Sequence, residues 1–269
     1  MAPPDYPVKV GSMLYTLVDP NPGHEVAYNR WYERDHFYAG CMIGPWMFAG
    51  SRWCATRELK DLRIPRDETN AITSPWDAGS YVAIYWVLQD HEDEHWKWAG
   101  EQVHWLYAND RGFAERTHRH TVLYTYQDTI YRDDDPVPIE LALDHHYEGK
   151  VSVALDCADG VSEADLDAWL RTEGIPPLLA GSAIAMGSIW TPKQRDEITS
   201  NSPMDLGSGT GGENRTLQMF FTETDVRESW DRFVDYVERV NASGLATVVS
   251  AAPFHRTIIG TDTYTDQLW

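Results

Sequence analysis

The chain has 269 residues, and 42 acidic against 22 basic side chains give a formal net charge of −20 at pH 7. Its hydrophobic fraction of 42% and aromatic fraction of 12% are typical of a packed globular protein, since disordered chains contain few aromatic residues. The acidic balance argues against nucleic acid and anionic membranes as partners, because both need a basic surface.

The three cysteines, Cys41, Cys54 and Cys157, are too few and too scattered for a disulfide framework or a zinc site. We expect them to be buried, small apolar residues in a reducing compartment. No apolar run approaches the ~18 residues of a membrane span, and the first residues lack the pattern of a secretory signal. The expected localisation is therefore cytoplasmic.

The first half of the chain predicts the element order β-α-β-β-α-β. Apolar and aromatic runs predict four strands, at Val10–Val18, Phe48–Thr56, Tyr81–Leu88 and Arg119–Gln127. Residues with helical spacing predict two helices, at His24–Phe37 and about His91–Tyr107, with Asp90 as the cap of the second.

After a charged linker at 133–136, the same order recurs. The predicted strands are Lys150–Leu155, Ala183–Trp190, Leu217–Thr222 and Leu245–Ile259. The predicted helices are Glu163–Thr172, capped by Ser162, and a second amphipathic helix that Asp225 caps and that ends near Val240. A glycine-rich loop precedes the third of these strands.

Matching features of the two halves lie at nearly constant offsets. Trp31 and Trp169 are 138 residues apart, and the predicted caps Asp90 and Asp225 are 135 apart. We therefore predict an α+β fold of two similar units, residues 1–135 and 136–269, whose four-stranded antiparallel sheets pair into an α/β barrel. A single irregular α+β domain is the alternative.

Residues 24–38, HEVAYNRWYERDHFY, resemble the first helix of the dimeric α/β-barrel superfamily, in which Asn-x-Trp-Tyr-x-x-x-His recurs. Asn29, Trp31, Tyr32 and His36 occupy the pattern here. The resemblance includes the EthD-like and polyketide cyclase or monooxygenase branches, and it implies two ferredoxin-like units fused in tandem. Members are cofactor-free cyclases, isomerases, monooxygenases or lyases, and others bind haem.

The residues that could carry chemistry are concentrated in the first half. Aligning Trp31 with Trp169 places Leu170 opposite Tyr32 and Gly174 opposite His36, and nine of the ten histidines precede residue 150. We therefore predict one site in the first unit, with a degenerate second unit as its structural partner. Drift in a duplicated scaffold without any site is the alternative.

His36 is the leading catalytic candidate, because an imidazole can take or give a proton near neutral pH. Tyr32 and His104 are the further catalytic candidates. His36 could instead cap the last carbonyls of its helix.

An aromatic helix is predicted to form the wall that binds substrate. Trp98, Gln102 and Trp105 have the spacing i, i+4, i+7 and share one helix face. With them we predict a set of aromatic and histidine contacts to a flat apolar ligand: Trp31, Tyr38, Tyr85, His118 and His120. Ordinary core packing is the alternative for many of these side chains.

Histidine pairs raise the question of a metal. His118 and His120 are i and i+2 on a predicted strand, which places them on one face, and His91 and His95 are i and i+4 on a helix. Neither pair has a third ligand at motif spacing, so we expect no metal. The glycine-rich segment 200–212 lacks the lysine of a phosphate loop and could cover the mouth of the site.

Three functions remain open. The first is a cofactor-independent cyclase, isomerase or C–C lyase that uses histidine acid–base chemistry on an apolar aromatic or polycyclic carbonyl compound. The second is a haem- or O2-dependent monooxygenase, with a histidine as the axial ligand if haem binds. The third is a non-catalytic binder of a hydrophobic metabolite. In each case the partner is a small hydrophobic molecule, and the protein is a monomer or a homodimer.

Overall fold

The computed structural model describes residues 7–194, 201–211 and 214–269. These residues form eight strands: β1 (Val10–Pro20), β2 (Met47–Cys54), β3 (Tyr81–Leu88), β4 (Arg116–Tyr131), β5 (Gly149–Cys157), β6 (Ile184–Pro192), β7 (Arg215–Thr222) and β8 (Ala246–Arg256). The α-helices are α1 (Glu25–Trp31), α2 (Arg57–Lys60), α3 (Glu92–Ala108), α4 (Glu163–Trp169), α5 (Pro176–Leu179) and α6 (Trp230–Ala242).

All strand pairs are antiparallel, and the hydrogen-bonded order β1-β3-β2-β8-β5-β7-β6-β4 returns from β4 to β1. Each half has the same internal order, β4-β1-β3-β2 in the first and β8-β5-β7-β6 in the second. The halves join where β4 pairs with β6 and, over only two residue pairs, where β2 pairs with β8. The predicted α+β class with an antiparallel sheet is confirmed.

Large side chains from strands that are not neighbours meet on the inner side of this closed sheet. Trp86 of β3 stacks on Trp190 of β6 with ring centroids 6.0 Å apart, and Tyr15 of β1 donates to Ser152 of β5. Because side chains alternate along a strand, the residues between them face outward. The helices and loops cover that outer surface, and the candidate site lies there.

Helix α1 does not continue as the regular helix predicted over residues 24–37. It passes into two wider π-helical turns, Tyr32–His36 and Tyr38–Met42. In the second half α4 passes into the same kind of turn at Leu170–Gly174. Such turns often accompany functional sites, because the extra residue per turn redirects the side chains.

The predicted caps differ in outcome. Ser162 accepts a hydrogen bond from Asp165 N at 3.1 Å at the start of α4. Asp225 accepts one from Arg227 N at 2.9 Å, at the start of the 3-10 turn that leads into α6. Asp90 is not a cap, because it adopts a left-handed backbone with φ 69° and α3 begins beyond His91.

All three cysteines are buried and free, as expected. In the described parts of the chain, no helix combines the length and the apolar character that crossing a membrane requires.

Candidate functional site

A cavity of about 140 Å³, partly open to solvent, lies on the outer face of β1 and β4. The π-helical turns after α1, helix α3 and the loop 201–211 form its other walls. Most of its wall is apolar. The ionisable side chains that reach it are Tyr28, Tyr32, His36, Cys41, His95, His104, Arg116 and His118.

His36 is half-buried in the wall of this cavity. Its imidazole stacks on Trp31 with ring centroids 4.5 Å apart, and within the described residues it has no hydrogen-bond partner. Gly40 allows this position, because a Cβ there would lie 2.8 Å from His36 Nδ1. Burial, and then the nearby Arg116, lower the pKa of His36 well below its usual value. His36 is therefore a neutral imidazole at pH 7 with free hydrogen-bonding capacity.

His118 is the second imidazole of the cavity wall and has a firmer support. Its Nδ1 lies 2.7 Å from Thr121 Oγ1 and 3.4 Å from Thr16 Oγ1, whereas Nε2 is buried without a partner among the described residues. Burial, and then Arg116, lower the pKa of His118 to about 3. In the tautomer with hydrogen on Nδ1, Nε2 is an unprotonated base.

His118 and His120 do not share a face, so the prediction for this pair is wrong. Leu17 pairs with His120 and Val18 with His118, so that Arg119 is an extra, bulged residue. A bulge reverses the alternation of side chains. His120 therefore points into the closed sheet, where its nitrogens bond Tyr124 Oη at 2.7 Å and Ser208 Oγ at 2.8 Å.

Arg116 is the site residue that sequence reasoning missed. Its guanidinium lies over the indole of Trp31, 4.5 Å from the ring centroid, and Nη2 donates to Tyr107 Oη at 2.8 Å. Nε and Nη1 are buried and have no acceptor in the described part of the chain. The only sequence signal was its position two residues before His118, on the same strand face.

Tyr32 lines the cavity and shares a hydrogen bond of 2.8 Å with Tyr85, which lies behind it. Burial raises the pKa of both phenols well above the usual value. Tyr32 is thus a protonated hydrogen-bonding group at pH 7. Tyr85 supports it and does not line the cavity.

Helix α3 presents a different face from the one predicted. The lining residues of this helix are His95, Trp96, Ala99, Gly100, Val103 and His104. The predicted stripe lies outside the lining: Trp105 is 50% exposed, and Gln102 Nε2 donates to Ala39 O at 2.7 Å. Trp98 packs against Gly44. Because aromatic residues lie on several faces of α3, their spacing in the sequence does not show which face lines the cavity.

The other predicted residues are divided between wall and surface. His104 lies at the exposed edge of the cavity, and Trp31 lies behind His36 and Arg116. Tyr38 is 53% exposed and borders a separate, smaller pocket beside Arg52, so the structure does not bring this predicted substrate-binding residue into the cavity.

The glycine-rich loop reaches the cavity in its described part. Ser202, Pro203, Met204 and Leu206 line the wall, and Met204 Sδ lies 3.4 Å from Arg116 Nη2. Residues 200 and 212, the ends of the predicted covering segment, lie outside the described residues.

Within the ranges that the structure describes, no group of three or more His, Cys, Asp or Glu side chains could hold a metal ion. The pair His91 and His95 is engaged elsewhere. His91 stacks on Trp46 with ring centroids 3.7 Å apart, and His95 Nδ1 lies 2.6 Å from Pro45 O.

No family model and no curated protein matches the chain. Several solved structures do match the chain. An anthrone oxidase-like protein is 9% identical with a TM-score of 0.55, over 94% of this chain and 95% of its own. The fold is ferredoxin-like. A putative chlorite dismutase has 11% identity and a TM-score of 0.53, over 97% of this chain and all of its own. A dye-decolorizing peroxidase from Bacteroides thetaiotaomicron has 11% identity and a TM-score of 0.55, over 98% of both chains.

At such identities the likeness concerns the fold. It supports a ferredoxin-like fold and does not distinguish the EthD-like branch.

Proposed function

We propose that this protein is an O2-dependent oxidase of a planar, apolar aromatic carbonyl compound, and that the reaction begins with removal of a carbon-bound proton by His118. The observation that carries the proposal is a neutral imidazole in an apolar cavity, whose Nε2 is buried and has no partner among the described residues. The cyclase, isomerase and lyase functions expected from sequence would use the same first step. The anthrone oxidase-like neighbour supports O2 as the acceptor.

The chemistry starts at a CH2 group activated by a conjugated carbonyl. His118 Nε2 takes one proton, and the carbanion is delocalised onto the carbonyl oxygen, where the positive charge of Arg116 stabilises it. O2 adds to the carbanion and, with the returned proton, gives a hydroperoxide. Loss of water then leaves a second carbonyl, so that CH2 + O2 becomes C=O + H2O without an external reductant.

His36 is the second acid–base group of this scheme. Loss of water requires a base for the remaining C–H proton and an acid for the departing hydroxide. A second neutral imidazole, for which the described residues offer no competing hydrogen bond, suits the first of these tasks. Tyr32, a protonated phenol in the wall, suits the second.

The test uses anthrone as the probe. We expect one O2 consumed per anthraquinone formed, measured with an oxygen electrode and by chromatography, with no added cofactor. His118→Gln and His36→Gln should each lower kcat by ~10²–10⁴, whereas His146→Gln, whose side chain is 81% exposed in the second half, should not. Anthrone that binds without O2 uptake would refute the proposal and favour the non-catalytic binder.

Haem is the second candidate, favoured by one observation. An axial histidine commonly has its other ring nitrogen hydrogen-bonded. His118 fits, because Nδ1 lies 2.7 Å from Thr121 Oγ1 and Nε2 has no partner in the described part of the chain. His118 would hold the iron and Arg116 a propionate. When bound, haem would supply the activation of oxygen. Titration with haemin should produce a Soret band that His118→Gln removes, and a protein that shows no band at any haemin concentration excludes this candidate.

We further propose that residues 1–135 and 136–269 are fused copies of one ancestral unit. The identical strand orders support this, as do α1 and α4, which have equal lengths and start 138 residues apart. Because one chain closes its own sheet, we propose a monomer rather than a homodimer. Light scattering should give 30.7 kDa, and twice that mass would contradict the monomer.

A further inference from the structure

We infer that the ligand of this cavity is an anion, an aromatic compound with a carboxylate or phenolate oxygen that pairs with Arg116. The inference rests on the proposed function in taking the cavity as the substrate site. It goes beyond that function because it concerns the charge of the compound before any reaction occurs.

The first support is the missing partner of Arg116. Three of its N–H hydrogens, one on Nε and two on Nη1, are buried without an acceptor among the described residues. No described carboxylate forms an ion pair with it. A buried cation without a counter-charge is costly, so the structure leaves a place for an acceptor from outside the chain.

Arginines elsewhere in this chain show the contrast. Arg215, buried at the start of β7, donates to both oxygens of Asp156, at 2.6 and 2.8 Å. Arg52 bonds Asn29 and pairs with Glu33. Arg63, which is buried without an ion pair among the described residues, donates instead to the carbonyl oxygens of Trp76, Ala78 and Gly79. Within the described residues, neither a carboxylate nor a carbonyl oxygen meets Nε or Nη1 of Arg116.

The second support is the charge of the cavity wall. The described lining contains no aspartate or glutamate, although the chain as a whole has a net charge of −20. His36 and His118 are neutral at pH 7 because burial lowers their pKa values. The guanidinium of Arg116 therefore sets the local field, and an anion is attracted there despite the acidic surface.

The third support is that the guanidinium is fixed. It lies over the Trp31 indole and bonds Tyr107 Oη, and cation–π contact of this kind holds an arginine in one orientation. A ligand oxygen at Nε or Nη1 would then be placed in the same cavity wall as His118, two residues along the same strand face. The anion would orient the aromatic ring toward the base.

The experiment compares three ligands of one size by calorimetry at pH 7: 2-naphthoate, 2-naphthol and the neutral 2-naphthalenemethanol. A charge-assisted hydrogen bond predicts that naphthoate binds at least about 10-fold more tightly than the neutral alcohol. Naphthol reports on phenolates, because its absorption band shifts to longer wavelength if it binds ionised. Binding of either anion in preference to the alcohol supports the inference.

The variants locate the charge. Arg116→Gln should abolish the preference, and Arg116→Lys should keep part of it. Arg34→Gln removes an exposed charge outside the cavity wall and should leave the preference unchanged. Circular dichroism checks the fold of each variant, and the ligand comparison on the unaltered protein remains decisive if a variant does not fold.

Two outcomes overturn the inference: equal affinity for naphthoate, naphthol and the alcohol, or a preference that Arg116→Gln retains. Both differ from failure of the proposed oxidase. Naphthoate that binds through Arg116 while anthrone is not oxidised would refute only the oxidase, and anthrone oxidation without any anion preference would refute only this inference.

Discussion

Replacing His118 with glutamine should reduce the decrease in unfolding free energy that this protein undergoes in mild acid. Burial, and then Arg116, lower the pKa of His118 to about 3 in the folded state, against about 6.5 when unfolded. Between these two pKa values, the unfolded chain therefore binds a proton at His118 and the folded chain does not. Stability is full above pH 6.5 and falls as the pH drops toward 3, by at most about 1.4 kcal/mol per unit. Between pH 7 and pH 5, the protonation of His118 in the unfolded chain should lower the unfolding free energy by about 2 kcal/mol.

Urea unfolding followed by circular dichroism at pH 7 and pH 5 measures this effect. The loss of unfolding free energy between the two pH values should be about 2 kcal/mol smaller in His118→Gln than in the unaltered protein. His146→Gln, on an 81% exposed side chain, should leave the loss unchanged. Equal losses in His118→Gln and the unaltered protein would mean that His118 is protonated in the folded state at pH 5. The argument for a neutral base at Nε2 would then fail.

Three further substitutions test other parts of the structure. Lys150→Met should stabilise the protein by about 1–3 kcal/mol at pH 7 in urea unfolding, because Lys150 is fully buried and no described carboxylate pairs with it. The gain should shrink toward pH 10, where the unfolded lysine also loses its proton. Gly40→Ala should lower kcat on anthrone while circular dichroism shows the fold retained, since the new Cβ would displace His36. Asp19→Asn should cost about 3–5 kcal/mol in urea unfolding, because it leaves the buried ammonium of Lys60, 4.0 Å from Asp19, without a counter-charge.

The regular elements could be predicted from the sequence because they follow local periodicity. The strand predicted at Tyr81–Leu88 has those bounds in the structure, and the Ser162 cap forms as expected. The repeated element order, and with it the antiparallel α+β class, also follows from patterns within each segment. These features depend on neighbouring residues alone.

The cavity wall could be predicted only in part, because its side chains depend on distant pairing. The bulge at Arg119 is fixed by the register between β4 and β1, about 100 residues earlier, and it separates His118 from His120. The inward face of α3 is likewise fixed by packing, since Trp96 and Trp105 are equally plausible from spacing but are 5% and 50% exposed. The unpaired charge of Arg116 becomes visible only when every side chain around it is placed.

The matching π-helical turns of the two halves, Tyr32–His36 and Leu170–Gly174, explain why one half carries the candidate site and the other does not. In the first half the turn ends at His36, whose imidazole stacks on Trp31 beside the cavity. In the second half it ends at Gly174, and a Cβ there would lie 2.8 Å from the ring of Trp169. The indole of Trp169 thus packs directly against the backbone where the other half has its imidazole. The same backbone therefore supports an acid–base group in one half and closed packing in the other, and a histidine at position 174 would require Trp169 to move.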